Sequence, residues 1–189
     1  RLGVDSSKVE YVWHKDLFDD PDYWRKVLLI AKHHSISRTA RALTIAGRLS
    51  AESNPTAFYF YPSMQAADIF HLKVDIAQLG LDQRKVNILA REIAQKNVGG
   101  VKLAKLLGYE EHGYNGVPVL VHHRMLPSMA EPPATLPGFD ENPKLDFMIA
   151  YKASKSMPST TIYIHDDFET LKKKLAKAYC PPKSRVSLS

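Results

Sequence analysis

Three polar side chains, Tyr61, Gln65 and Asp68, stand in the segment YPSMQAADIFHL at steps of four and three residues. At ~100° per residue they fall within one narrow face of a helix. Met64, Ala66, Ala67, Ile69 and Phe70 spread over its other sides, so much of this helix is expected to be buried. A buried carboxylate and carboxamide must be paired, because desolvating them alone is costly. Three kinds of partner meet that demand: a ligand carrying an ammonium group, water on an exposed face, or another side chain of the protein. These residues leave all three open.

Just downstream, VDIAQ followed by Leu79-Gly80-Leu81-Asp82-Gln83-Arg84-Lys85 reads as a strand, a turn and the start of a helix. Ligands of open α/β sheets collect at such corners. Gly80 would let a ligand approach the backbone, and Asp82 can accept hydrogen bonds from ribose hydroxyls or act only as a helix cap. Arg38, Arg41 and Arg48 share a face of an earlier helix, which is either a solvated basic surface or a phosphate-binding one. His33-His34 and His122-His123 are adjacent pairs, and neighbours on a strand point to opposite faces. With no HExxH and no Cys/His cluster, no metal site is expected.

The elements that would carry these residues alternate. Val9–Trp13 reads as a short strand. Asp19, Asp20 and Pro21 open a helix with the pattern Trp24, Val27, Leu28, Ala31. Ser35 or Ser37 caps a second helix reaching about Leu49. After the break at Ser53-Asn54-Pro55, the polar-striped helix begins near Pro62. Val74–Gln78 is the next strand, and Asp82 opens a helix to about Gln95. Glycines then punctuate the chain until a strand at Val117–His122, and Pro127–Pro143 reads as a surface excursion. Thr160–His165 alternates like a strand, and a basic helix from Phe168 to Tyr179 is stopped by Pro181 and Pro182. This order predicts an α/β layer fold with a largely parallel sheet.

Composition bounds the setting. The 189 residues fit one domain, with 44% apolar and 24% charged residues. No apolar run approaches the ~18 residues of a membrane helix, and the first residues carry no signal-peptide pattern. One cysteine suits a reducing cytoplasm, and a net charge of +6 makes a polyanionic partner plausible.

Read as one block, YPSMQAADIFHLKVDIAQLGLDQRKVNILARE (Tyr61–Glu92) resembles the tyrosyl-tRNA synthetases of the archaeal and eukaryotic type. Lys152-Ala153-Ser154-Lys155-Ser156 looks like the lysine–serine signature loop of class I synthetases, and Lys177–Pro181 resembles the end of their catalytic domain. The resemblance implies a Rossmann-like nucleotide-binding fold, of which this sequence matches the second half. It also implies a tyrosine–tRNA ligase that makes tyrosyl-adenylate from L-tyrosine and ATP and passes it to tRNA(Tyr). By it, Tyr61, Gln65 and Gln83 would meet the tyrosine ammonium, Asp68 would accept the phenolic hydroxyl, and Gly80 and Asp82 would sit at the adenosine end. Lys152 and Lys155, with the hydroxyls of Ser154 and Ser156, would close over the β and γ phosphates in the transition state. Arg38, Arg41, Arg84 and Lys85 would face tRNA phosphates. ATP is then a substrate accompanied by Mg2+ from solution, no tightly bound cofactor is expected, and a cytoplasmic homodimer without membrane contact is implied.

Several features depart from that family. Leu79 stands where a first glycine is usual, and Ala153 replaces the usual methionine of the loop. The stretch from about 97 to 150 reads as a loop-rich insertion, with 151–160 as the signature loop. None of the eight histidines sits in a His-x-Gly-His-like motif, and the expectation is a chain without the family's N-terminal half or anticodon-binding domain. The competing reading is a non-catalytic RNA-binding module that keeps the fold.

Overall fold

The computed structural model describes residues 3–44 and 55–181. They form two compact units. One holds the described residues of Arg1–Thr39, Pro55–Ala77 and Val86–Val119; the other holds those of Ala40–Asn54, Gln78–Lys85 and Leu120–Ser189.

The chain opens with helix α1 (His14–Phe18) and α2 (Pro21–Lys32). Asp20 caps α2 by accepting from the Asp22 N–H, and Pro21 occupies the first turn, where its missing N–H costs nothing. The buried side of α2 is Tyr23, Lys26, Val27 and Ile30. The expected face is thus off by one step, and Leu28 is 57% exposed. Helix α3 (Ile36–Thr44) is capped by Ser35, whose hydroxyl accepts from the Arg38 N–H at 3.2 Å. The expected end near Leu49, and Arg48 with it, lie outside the described residues.

A 3-10 turn (Thr56–Phe60) leads into α4 (Tyr61–His71), which packs against α2. Ala66, Ala67, Ile69 and Phe70 are buried there, and each large apolar side chain so enclosed contributes about 1.5–3 kcal/mol. Strand β1 (Ile76–Gly80) follows, then a 3-10 turn (Leu81–Gln83) and α5 (Arg84–Gln95). Strands β2 (Asn97–Val98) and β3 (Val101–Lys102) form an antiparallel hairpin. Its turn is Gly99-Gly100, both at positive φ, as a two-residue primed turn requires. Helix α6 (Leu103–Leu106) and buried Tyr109 close the first unit's core. The Tyr109 ring meets Phe70 edge-on at 5.1 Å and its hydroxyl donates to the Val74 carbonyl.

Strand β4 (Val119–His123) pairs with β1. The crossover between them includes α5, the kind of connection that parallel neighbours need. The result is a mixed α/β fold. In the second unit, α7 (Pro143–Ala150) is capped by Asn142, and α8 (Phe168–Ala176) by Asp167. Asp146 on α7 is 3% exposed and accepts from the N–H groups of Gly138 and Phe139, which ties down the preceding excursion.

Two expected strands are not strands. Val9–Trp13 runs without a ladder, and Tyr11 and Trp13 are 78% and 73% exposed. β propensity becomes a strand only when a neighbour takes its backbone groups. At Thr160–His165 those groups are diverted to side chains: Lys174 Nζ donates to the Thr161 carbonyl, and the Tyr163 N–H donates to Asp166. The sheet is therefore smaller than expected. The region from about 97 to 150, expected to be loop-rich, contains the hairpin, α6, β4 and α7.

Candidate active site

In the first unit, α4 carries the polar stripe on its less buried side. Tyr61 is 47% exposed, and Gln65 and Asp68 are half-buried. Two of the three possible answers to the pairing question coexist here, because the stripe has internal partners and yet reaches solvent. The Gln65 amide donates to Asn87 Oδ1 at 3.3 Å, and Asn87 is fully buried on α5. Asp68 Oδ1 accepts the hydroxyl of Tyr23 at 2.9 Å, and His14 Nε2 lies 3.5 Å from Asp68 Oδ2. The Asp68 side chain stays 26% exposed. Burial holds its carboxyl above the ordinary carboxylate range, opposed chiefly by the Tyr23 hydrogen bond and then by His14. Burial, and then the Asp68 charge, keep the Tyr23 phenol protonated well above its usual range. The Tyr23 shift keeps the phenol neutral as a donor, and the hydrogen bond it gives Asp68 offsets part of what burial does to that carboxyl.

The same unit holds Arg38, which forks onto Glu92 at 2.9 and 3.3 Å. A separate cavity of about 390 Å3 is lined by His34, Ile36, Thr39, Tyr59, Phe60 and Ser63 among others.

In the second unit the corner after β1 is crowded. A Cβ on Gly80 would stand 2.6 Å from Asp82 Oδ1 and 2.8 Å from Met125 Sδ, so glycine is required by space here and not by φ. Asp82 is 8% exposed and its Oδ2 accepts from Lys152 Nζ at 2.7 Å. The corner and the lysine–serine loop, 70 residues apart in sequence, thus meet through one ion pair. Gln83 is half-buried at the end of the 3-10 turn, and Arg84 is exposed. Lys85 reaches Asp140 at 3.3 Å and Glu141 at 3.2 Å, so its charge is directed to carboxylates of the proline-rich excursion. Arg41, on the last turn of α3, is exposed.

The loop itself is anchored. The Ala153 N–H donates to the Leu126 carbonyl at 2.7 Å, and Lys152 bridges Pro127. Ser154 exchanges hydrogen bonds with Thr161, its N–H donating to Oγ1 and its carbonyl accepting from it, both at 3.1 Å. The Ser154 and Ser156 hydroxyls are 2.8 Å apart. Lys155 projects from this frame and is exposed.

Sequence reasoning overlooked Tyr23, His14, Asn87 and Met125. Tyr23 and Asn87 did leave a signal, since each interrupts an apolar helix face with a polar group that must find a partner. Among the described residues no three His, Cys, Asp or Glu side chains gather as a metal site would require, and no helix is long and apolar enough to cross a membrane.

Residues 1–129 match the family described as tRNA synthetases class I (W and Y). The tyrosine–tRNA ligase of Pyrococcus abyssi is 40% identical over 183 residues, covering 95% of this chain and 46% of that protein. The ligase of Thermococcus onnurineus is 39% identical over 180 residues, with the same coverage. The structure of the Pyrococcus horikoshii tyrosyl-tRNA synthetase complexed with L-tyrosine superposes with a TM-score of 0.77 at 38% identity, over 95% of this chain and 46% of that one. The chain spans about half the length of these relatives. With more than half of its residues under the family match, the chain belongs to the class I tRNA synthetases of the tryptophan and tyrosine group.

Proposed function

We propose that the chain serves tyrosine–tRNA ligation: ATP-dependent activation of L-tyrosine to tyrosyl-adenylate, and transfer of the tyrosyl group to tRNA(Tyr). The observation that carries this reading is Asp68, a half-buried carboxylate that already accepts one phenol hydroxyl and keeps part of its surface open. Tyr61 and Gln65 on the same helix supply polar atoms for an amino acid's ammonium. The part of Gln83 in holding that ammonium rests on the sequence block.

In activation the tyrosine carboxylate attacks the α-phosphorus and pyrophosphate leaves, so no protein nucleophile is needed. Gly80 and Asp82 suit the ribose end of ATP. Lys152, now held by Asp82, would exchange that partner for phosphate when ribose hydroxyls occupy the carboxylate. Exposed Lys155 and the Ser154 and Ser156 hydroxyls would then stabilise charge on the departing pyrophosphate. ATP enters as a substrate and Mg2+ comes with its phosphates. Arg38, Arg41, Arg84 and Lys85 are the candidates for tRNA phosphates; Arg41 and Arg84 are exposed, and Arg38 and Lys85 face the carboxylates of Glu92 and Asp140. A cytoplasmic homodimer is the setting that the family resemblance favours.

Tyrosine-dependent ATP–pyrophosphate exchange, with phenylalanine as control, tests the reading. Exchange with tyrosine alone is expected. Absence of exchange, with tRNA binding retained, would favour the RNA-binding module instead.

A further inference from the structure

Asp68 has two oxygens, and the fold treats them differently. Oδ1 is taken by Tyr23 at 2.9 Å. The ring that carries this donor is held: Tyr23 is 0% exposed, Trp24 and His71 meet it edge-on at 5.7 Å and 5.5 Å, and a second acceptor for its hydroxyl, the Met64 carbonyl, is farther off at 3.4 Å. The carboxylate is therefore oriented by a fixed hydroxyl. Oδ2 lies 3.5 Å from Nε2 of His14, on α1. His14 is itself 62% exposed at the side chain. A carboxylate oxygen and an imidazole nitrogen thus stand in contact on a partly exposed stretch of the stripe.

A phenol hydroxyl has one hydrogen to donate and lone pairs to accept with. A carboxylate oxygen and an N–H side by side match both functions at once. An amino acid with a bare phenyl ring would desolvate both groups and offer neither a hydrogen bond, which is where discrimination arises. We propose that Tyr23 and His14 set the amino-acid selectivity of this site through Asp68, Tyr23 as a positioning residue that fixes the carboxylate and His14 as the donor to the ligand's hydroxyl. The ligand class is a para-hydroxyphenyl amino acid. This inference rests on the ligase reading above and deepens it, because it names the groups that read the hydroxyl.

The test is calorimetric binding of L-tyrosine and L-phenylalanine to the purified chain and to Tyr23→Phe, His14→Ala and His14→Gln. Tyr23→Phe keeps the buried ring and removes only the hydroxyl. It is expected to lose about tenfold or more in tyrosine affinity, the size of one hydrogen bond to a charged group, with phenylalanine affinity unchanged. His14→Ala is expected to shift the ratio in the same direction, and His14→Gln, which restores an N–H donor, to recover part of it. Should Tyr23→Phe fail to fold, the exposed His14 pair decides. Variants that change both affinities equally, or neither, overturn the inference alone. A parent chain that binds neither amino acid overturns the functional reading and the inference together.

Discussion

At the scale of single residues, Asp68 has two tasks, and different substitutions separate them. Asp68→Ala strips the 2.9 Å acceptor from Tyr23 and leaves its buried phenol hydroxyl only the Met64 carbonyl at 3.4 Å, a loss of about 1–3 kcal/mol. Asp68→Asn keeps an oxygen for Tyr23 while removing the charge. We expect Asp68→Asn to melt within a few degrees of the parent and to lose tyrosine-dependent exchange at least about tenfold; Asp68→Ala should lose both stability and exchange. Equal thermal destabilisation by the two would show that the charge, not the hydrogen bond, holds α4 in place. Gly80 makes a second test. A methyl there would stand against Asp82 and Met125, and overpacking of this kind costs about 1–3 kcal/mol. Gly80→Ala should lower the denaturation midpoint by that amount, and should weaken ATP binding because Asp82 must shift. The types and spacing of Tyr61, Gln65 and Asp68 were legible in the sequence, because a helical period places them together wherever the helix lies. Tyr23 shows there as a polar interruption of an apolar face, but its pairing with Asp68 does not: the two lie 45 residues apart, and nothing local to either residue reports the packing of α2 on α4.

Elements were legible where a single period ran long enough to speak. Helices α2, α4, α5 and α8 and strands β1 and β4 lie within a few residues of expectation. The missed ones are short. The β2–β3 hairpin carried its signal, Gly99-Gly100 between Val98 and Val101, but strands of two residues have no periodicity to detect. Helix α7 likewise announced itself by Asn142-Pro143, a capping residue before a proline in the first turn, inside a stretch otherwise dominated by proline. Its first turn also fastens the excursion before it. Asp146→Ala would orphan the N–H groups of Gly138 and Phe139, at about 1–3 kcal/mol for each that stays buried. The expected outcome is faster proteolytic cleavage within 130–142 and a lower unfolding midpoint, while Asp146→Asn, which keeps one acceptor, should lie between variant and parent. Unchanged cleavage would mean that the cross-ties from Ser128 to Tyr151 and from Ala130 to the Tyr151 hydroxyl suffice without Asp146.

For the whole molecule, the acid side of the stability curve follows from how the fold treats its carboxylates. Hydrogen bonds from Lys26 and then Arg25 bring the Asp22 carboxyl from 3.8 down to about 2. Lys26 is itself buried, so this pair ties the core side of α2 to a charge at its first turn. Asp5, Glu141, Asp166 and Asp167 are lowered as well, each by hydrogen bonds. A carboxyl lowered by folding stabilises the native state above its unfolded pKa, and that stabilisation is lost as pH falls through the native one. Asp68 runs the other way: its carboxyl is raised by burial, so protonating it relieves the fold as pH drops toward 3.8. The two act in successive windows, Asp68 above 3.8 and the lowered aspartates below it. Below it the lowered carboxyls act alone while the chain, already at +6 near neutrality, grows more positive. Thermal melting should therefore change little between neutral pH and about 4 and fall steeply from there toward pH 2. Asp22→Asn should melt below the parent at pH 7, and the two curves should draw together as pH approaches 2, since about half of the parent's own Asp22 is protonated there. A gap that persists undiminished to pH 2 would show that Asp22 holds α2 by shape and hydrogen bonding to its neighbours, with its charge contributing nothing to the fold.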